Sequence, residues 1–170
     1  MVENLLSITR ISGQAKISKE TELIEDVIAE SVQKFRKANA TAIDIKIPED
    51  VLLVPMDAIL VEQVLLNLME NSVRHGAATE IRITVEQHQS SAVIRVQDNG
   101  RGIAREKLAT LFDGSHGNIG SSAGDSKRNM GIGLSVCRSI IRAHGGELSG
   151  RNLDRGAEFV FTLPLEEETI

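Results

Sequence analysis

Hydrophobic positions recur along the chain with two periods, and the switches between them predict an order of helices and strands. Val2, Leu5, Leu6 and Ile8 stand at near-helical spacing with no capping residue ahead of them, which predicts the tail of a helix that begins upstream. From Glu20 to about Asn39, Leu23, Ile24, Val27, Ile28, Val32 and Phe35 return every three or four residues, with Thr21 or Ser18 as cap. This predicts a first amphipathic helix. Ile43, Ile45 and Ile47 alternate with polar partners and Val51 to Val54 follows Pro48, which predicts two short strands. Asp57 caps a second long helix that reaches about His75. Glu80 to Gln87 and Ala92 to Asp98 alternate on either side of a polar turn, the pattern of an antiparallel pair. Leu134, Val136, Cys137, Ile140 and Ile141 mark a third helix ended by His144-Gly145-Gly146. Glu147 to Arg151 and Glu158 to Leu163 close the chain as a strand pair around Gly156. Such an order predicts a mixed sheet covered by helices on one face.

The second helix carries the first sign of chemistry. At about 100° per residue, Gln63, Asn67, Glu70, Asn71 and Arg74 fall on one narrow stripe, while Val61, Val64, Leu65, Leu66, Leu68, Met69, Ser72 and Val73 fill the rest. A helix this apolar is largely buried. Two amides, a carboxylate and a guanidinium on its only polar stripe are costly to bury without partners, so the stripe faces either water or a polar ligand.

The neighbouring segments favour the ligand. The strand Ala92 to Gln97 runs into Asp98-Asn99-Gly100-Arg101-Gly102-Ile103, a carboxylate at a strand end before two glycines that let backbone approach a bound molecule. Asn129-Met130-Gly131-Ile132-Gly133-Leu134-Ser135 opens the third helix, where free N–H groups and the positive end of the dipole favour phosphate. Eight of the fourteen glycines lie from Gly100 to Gly133, which marks a long loop of the kind that is a lid, a binding loop or disordered. Neither Gly-x-Gly has the third glycine of a dinucleotide fingerprint, since Arg105 and Val136 hold those places, and no P-loop pattern occurs.

Composition narrows the classes. At 170 residues and 41% hydrophobic, the chain has the size of one domain with its own core. A net charge of −5 without any basic block argues against a nucleic-acid partner, and with four Phe and no Trp or Tyr there is little to stack on bases. Cys137 is the single cysteine, so no internal disulfide and no four-ligand zinc site is expected, and a reducing compartment fits. No apolar run approaches the roughly 20 residues that cross a bilayer, and Met1 to Arg10 lacks the form of a signal peptide.

The pieces also stand in the order of a known family. Asn67-Leu68-Met69-Glu70-Asn71-Ser72-Val73-Arg74-His75 resembles the N box, Asp98-Asn99-Gly100-Arg101-Gly102 the G1 box, Leu111-Phe112 the F box and Gly131-Ile132-Gly133-Leu134-Ser135 the G2 box of bacterial sensor histidine kinases. These belong to the wider class of gyrase, chaperone, histidine kinase and mismatch-repair ATPases with the Bergerat fold. The resemblance covers about Ile11 to Leu165, and Asn129 to Cys137 with Ala143 to Gly146 is similar to the G2 region of the potassium-responsive KdpD type. Ser72 stands where Ala is usual, Ile132 where Thr is common, and Asp113-Gly114 where the F box has a second aromatic.

The resemblance implies an α+β two-layer sandwich: a mixed, mostly antiparallel five-stranded sheet with three helices on one face. Residues 1–12 would be the end of a dimerisation and phosphoacceptor hairpin, 13–170 the catalytic ATP-binding domain, and about 112–130 its ATP lid. Asn67 and Asn71 would hold Mg²⁺ and phosphate oxygens, which suits a hard cation that prefers oxygen ligands. Arg74 would pair with phosphate charge and His75 would line the pocket. Asp98 would accept the adenine amino group, with Gly100, Gly102 and Ile103 shaping the base pocket. Phe112 and Leu134 join the nucleotide site as members of the F and G2 boxes, and Gly131 and Gly133 would present N–H groups to the phosphates. Lys127 or Arg128 would add charge from the lid. Glu70 is a candidate water activator or metal organiser.

The implied reaction is in-line transfer of the ATP γ-phosphate to a histidine. None of His75, His88, His116 or His144 sits in a His-Glu or His-Asp signature on a leading helix, so the acceptor is expected upstream, with onward transfer to an aspartate of a response regulator. The intact protein would be a homodimer anchored in the cell membrane, with this part in the cytoplasm. Two other readings share the fold: an anti-sigma-type serine kinase with a separate protein substrate, and a nucleotide sensor that closes on ATP without chemistry.

Overall fold

A computed structural model describes residues 17–113 and 125–166, with the backbone alone for 125–132. The expected hairpin end at 1–12 and the part of the expected lid at 114–124 lie outside the described residues. The chain runs β1 (Glu20–Leu23), α1 (Ile24–Arg36), β2 (Ala42–Lys46), β3 (Leu53–Met56), α2 (Ala58–Arg74), β4 (Glu80–His88), β5 (Ser91–Asp98), a single turn α3 (Arg105–Leu108), α4 (Asp125–Ala143), β6 (Leu148–Asn152) and β7 (Ala157–Pro164).

Period-two alternation builds the main sheet. Its order is β2-β4-β5-β7-β6, with β2 parallel to β4 and the other neighbours antiparallel. The expected α+β architecture and mixed, mostly antiparallel five-stranded sheet are therefore present. Ile83 and Val85 of β4 lie opposite Val96 and Ile94 of β5, which in turn lie opposite Phe159 and Phe161 of β7. All six are buried, and the core joins them to Ile28 and Phe35 of α1, Leu65 and Leu68 of α2, and Leu134 and Ile140 of α4. The same alternation, Ala92, Ile94, Val96, then Asp98, carries a carboxylate onto the buried face at the end of β5. On the other face of β7, the buried Glu158 accepts from Arg151 Nε at 2.7 Å and Gln97 Nε2 at 2.5 Å. Burial pushes its carboxyl up, but the bonds from Arg151 and Gln97 and the charges of Arg151 and Arg95 outweigh that and hold it below the usual range.

Two expectations need correction. Residues 20–23 are not the first turn of a helix: they pair antiparallel with β3 in a separate two-stranded sheet, Glu20 opposite Met56 and Leu23 opposite Leu53. Helix α1 begins at Ile24 with Leu23 at its N-cap and no side-chain cap, so neither Thr21 nor Ser18 fills that role. The helical spacing of Leu23 is local, whereas its pairing partner comes from β3, which spacing alone does not reveal. Helix α4 likewise starts at Asp125 rather than at Asn129 to Gly131. Gly131 and Gly133 lie inside it, and six residues of the expected lid belong to its first turns. Two glycines cost about 1 kcal/mol each in a helix interior, a cost offset by burying the apolar face formed by Leu134, Cys137, Ile140 and Ile141.

Helix α2 matches its expected start. Asp57 Oδ1 accepts from Leu60 N–H at 3.3 Å as N-cap, and His75 is the C-cap. A second bond pins the same end. The N–H of Asp57 donates to His144 Nε2 at 3.0 Å, while His144 Nδ1 lies 2.7 Å from the Ile140 carbonyl. These partners require the proton on Nδ1 and a bare Nε2, so the ring is a neutral bridge from the end of α4 to the start of α2. Burial, the largest influence, lowers its pKa; the carbonyl of Ile140 and Asp57 pull upward, Lys19 downward, and the net is below the ordinary value.

Candidate functional site

The polar stripe of α2 meets the end of β5 at a small cavity lined by Asn71, Ser72, His75, Gly76, Asp98, Gly102, Ile103, Ala157 and Phe159. It is open on one side and offers about 20 Å³, room for about one water. Five of the residues expected to bind nucleotide, Asn71, His75, Asp98, Gly102 and Ile103, thus come together from α2 and the loop after β5.

Asp98 is held by backbone. Its Oδ1 accepts from Gly100 N–H at 2.9 Å and Ala157 N–H at 3.2 Å. Such packing requires bare backbone on two sides. A Cβ on Gly156, whose φ is +86°, would lie 1.8 Å from the Asp98 carbonyl oxygen, and one on Gly100 would lie 2.3 Å from the Gly76 carbonyl oxygen. Asn99 turns away from the cavity and locks the loop to β4, its Oδ1 accepting from Thr79 N–H and Glu80 N–H at 3.0 Å each.

The α2 side is less satisfied. Asn71 Nδ2 is buried with no hydrogen-bond partner among the described residues, an arrangement that normally costs about 1–3 kcal/mol. Asn67 Nδ2 donates to Cys137 Sγ on α4 at 3.6 Å, which leaves its carbonyl oxygen unbonded among the described residues. Cys137 is fully buried, and burial, only partly opposed by the Asn67 bond, pushes its thiol up to about 12. Glu70 is half-buried and Arg74 exposed, and neither forms an ion pair among the described residues. Ser72, at the position where Ala is usual, donates to the Leu68 carbonyl at 3.2 Å and so enters the core satisfied.

Positive charge acts on His75, which lines the cavity. The His75 imidazole is held below its ordinary pKa first by burial and then by Lys107, Arg74 and Arg101. Three cations around a neutral ring favour an anion.

The remaining expected residues sit around this centre. Phe112 does not line the cavity; its ring lies beneath the Arg138 guanidinium, 5.6 Å from the centroid. Leu134 is core. Gly133 is buried, yet an added Cβ there would meet nothing within 4 Å among the described residues. Lys127, Arg128 and Gly131 are on α4 where the backbone alone is described. Sequence reasoning passed over Gly76, Ala157 and Gly156, which wrap Asp98, and Arg101 and Lys107, whose charges act on His75. Gly156 stood out only as a turn, and nothing local links that turn to Asp98.

A helix bearing amides and a guanidinium, facing a carboxylate caged by backbone, defines an α+β nucleotide-binding domain. The chain belongs to the family of histidine kinase-, DNA gyrase B- and HSP90-like ATPases, which it matches over residues 56–167. As a member it is an ATP-binding domain, and within the family it has the form of a sensor histidine kinase catalytic domain. It is 39% identical over 170 residues to the sensor protein KdpD of Clostridium acetobutylicum, with 98% of this chain and 19% of that protein covered. It is 35% identical over 168 residues to KdpD of Escherichia coli, with 96% and 18% covered. The chain thus spans about a fifth of the length of these relatives. Among solved structures, the catalytic domain of histidine kinase ThkA superposes with a TM-score of 0.67 at 28% identity, covering 86% of this chain and 95% of that one. No described helix is long and apolar enough to cross a membrane.

Proposed function

We propose that this chain binds Mg-ATP between α2, the loop after β5 and α4, and transfers the γ-phosphate to a histidine on a dimerisation domain upstream in the same protein. From there the phosphate would pass to an aspartate of a response regulator. The intact protein would work as a membrane-anchored homodimer. The observation that carries the reading is the buried, unpartnered Asn71 amide beside the caged Asp98: a folded protein keeps such a group where a ligand completes it.

Asp98 receives the adenine amino group. With Oδ1 occupied by Gly100 and Ala157, Oδ2 is the atom left to accept, and guanine would set a carbonyl oxygen against it. Ile103, Gly102 and Gly100 bound the ring, His75 borders it as a neutral imidazole, and Phe112 and Leu134 support the wall behind. Asn67 and Asn71 offer carbonyl oxygens to Mg²⁺. Among the described residues no cluster of three His, Cys, Asp or Glu forms a metal cage, so the ion would take its other oxygens from phosphate and water. When bound, Mg²⁺ neutralises charge on the transferred phosphate. Arg74, Arg101 and Lys107 hold the anion, with Lys127 or Arg128 adding charge from α4. Gly131 and Gly133, inside α4, let its backbone come close to the phosphates. Glu70 organises the metal's water shell. The likeness to KdpD proteins and to the ThkA catalytic domain supports histidine as acceptor.

The test is to add a dimerisation hairpin bearing its histidine and follow phosphate from labelled ATP. Acid-labile, base-stable label on the hairpin is expected. Label on a serine of another protein, with every hairpin unlabelled, favours the serine-kinase reading; ATP binding with no transfer at all favours a sensor.

A further inference from the structure

The turn between β6 and β7 does more than join two strands. Asn152, the last residue of β6, has both ends of its carboxamide engaged: Oδ1 accepts from Ile103 N–H at 2.7 Å, and Nδ2 donates to the Ile103 carbonyl at 2.7 Å. Both bonds fall on one residue's backbone, so the side chain supplies the donor and acceptor that a neighbouring strand would supply. Ile103 belongs to an irregular segment before α3, and its buried side chain lines the cavity opposite Asp98. Contact is direct: a Cβ on Gly102 would lie 2.8 Å from Asn152 Oδ1. The other end of the same turn abuts the Asp98 backbone through Gly156, and Leu153 N–H closes it by donating to the Gly156 carbonyl at 3.0 Å. One turn therefore touches both sides of the base pocket.

We infer that Asn152 is a positioning residue for the adenine ring, fixing through Ile103 the gap between the apolar wall and the Asp98 carboxylate. The inference rests on Asp98 being the adenine partner. Without the carboxamide, the N–H and C=O of Ile103 turn to water for partners and the wall is free to shift. Few residues can replace it. An aspartate keeps the acceptor for the N–H but sets a carboxylate oxygen against the Ile103 carbonyl, and an alanine keeps neither bond.

Asn152→Ala and Asn152→Asp in the full chain test this by titration calorimetry with Mg-ADP and a non-hydrolysable Mg-ATP analogue, alongside residue-resolved amide exchange. For Asn152→Ala, Kd rises about fivefold for both nucleotides alike, as expected for lost part-exposed hydrogen bonds. Exchange quickens at Ile103 while Ile94 and Val96 in the sheet stay protected. Asn152→Asp keeps Ile103 N–H protected yet weakens both nucleotides to a similar degree. The inference is overturned by unchanged Kd in Asn152→Ala, by unaltered exchange at Ile103, or by a loss confined to the triphosphate. Asp98→Asn is measured beside them: if it binds like the parent, the adenine reading falls and the inference with it, whereas a weakened Asp98→Asn with an unchanged Asn152→Ala removes the inference alone.

Discussion

The two sides of the cleft treat their polar groups in opposite ways. On the side proposed to take the base nearly everything is engaged: Asp98 Oδ1 takes two backbone N–H groups, Asn99 and Asn152 each bind backbone with both ends of the amide or with its oxygen twice, and glycines let three segments touch. On the proposed phosphate side one polar atom is left over, Asn71 Nδ2, which has no partner among the described residues, and the backbone of α4 is left bare, since an added Cβ at Gly133 meets no described atom within 4 Å. A flat ring with few polar atoms is recognised by a shape set in advance, and packing can set it. Phosphates need polar groups that are unpaired until the ligand arrives, and those groups lower the stability of the free domain.

The largest effect should come from disturbing the base side. Gly156→Ala forces a Cβ against the Asp98 carbonyl at a left-handed φ, and we expect a loss of about 4 kcal/mol in urea unfolding together with nucleotide binding. A variant that folds normally and binds ATP would break the comparison. Asn71→Ala should do the reverse: nucleotide affinity falls roughly thirtyfold for a lost bond to a charged ligand, while urea stability does not fall, because the cost of about 1–3 kcal/mol leaves with the orphaned amide and offsets the packing lost with the side chain. Calorimetry and unfolding on one preparation read both.

A third effect acts through pH. His144 has its folded pKa below the ordinary 6.5, so the folded state binds the proton more weakly than the unfolded chain. Its contribution is complete above pH 6.5 and is lost as pH falls through that value toward the lower folded pKa. Protonation would set Nε2–H against the Asp57 N–H. His75 carries the same sign, so the urea midpoint is compared across this range in His144→Gln and His75→Gln. Each variant should flatten the slope by its own share. The smallest effect sharpens the phosphate side: Gly133→Ala should stabilise the fold by up to about 1 kcal/mol as a helix substitution into open space and still weaken Mg-ATP several-fold.

Much of this cleft was legible where the signal is local. The α2 stripe, its Asp57 cap and the β4–β5 alternation that buries Asp98 each follow from a period and a boundary. What stayed hidden depends on contacts between distant segments. β1 is a strand only because β3 pairs with it, and its Leu23 keeps helical time with α1. His144 looked like part of a glycine-rich helix end, yet its ring ties two helices whose bond spans 87 positions. Gly156 and Asn152 reach back to Asp98 and Ile103 in the same way. The early start of α4 was missed because two glycines read as an entrance when the flanking residues extend the helix through them.

The Asn67–Cys137 contact has a chemical consequence of its own. A thiol buried at the junction of the two helices and pushed up to about 12 carries almost no thiolate at neutral pH, and the thiolate is the species that attacks peroxide or an alkylating agent. The only sulfhydryl in the chain is therefore poorly placed to sense oxidants. Cysteine-directed covalent inhibitors should find no purchase beside the proposed Mg-ATP site while the domain is folded, and labelling of Cys137 would report unfolding instead.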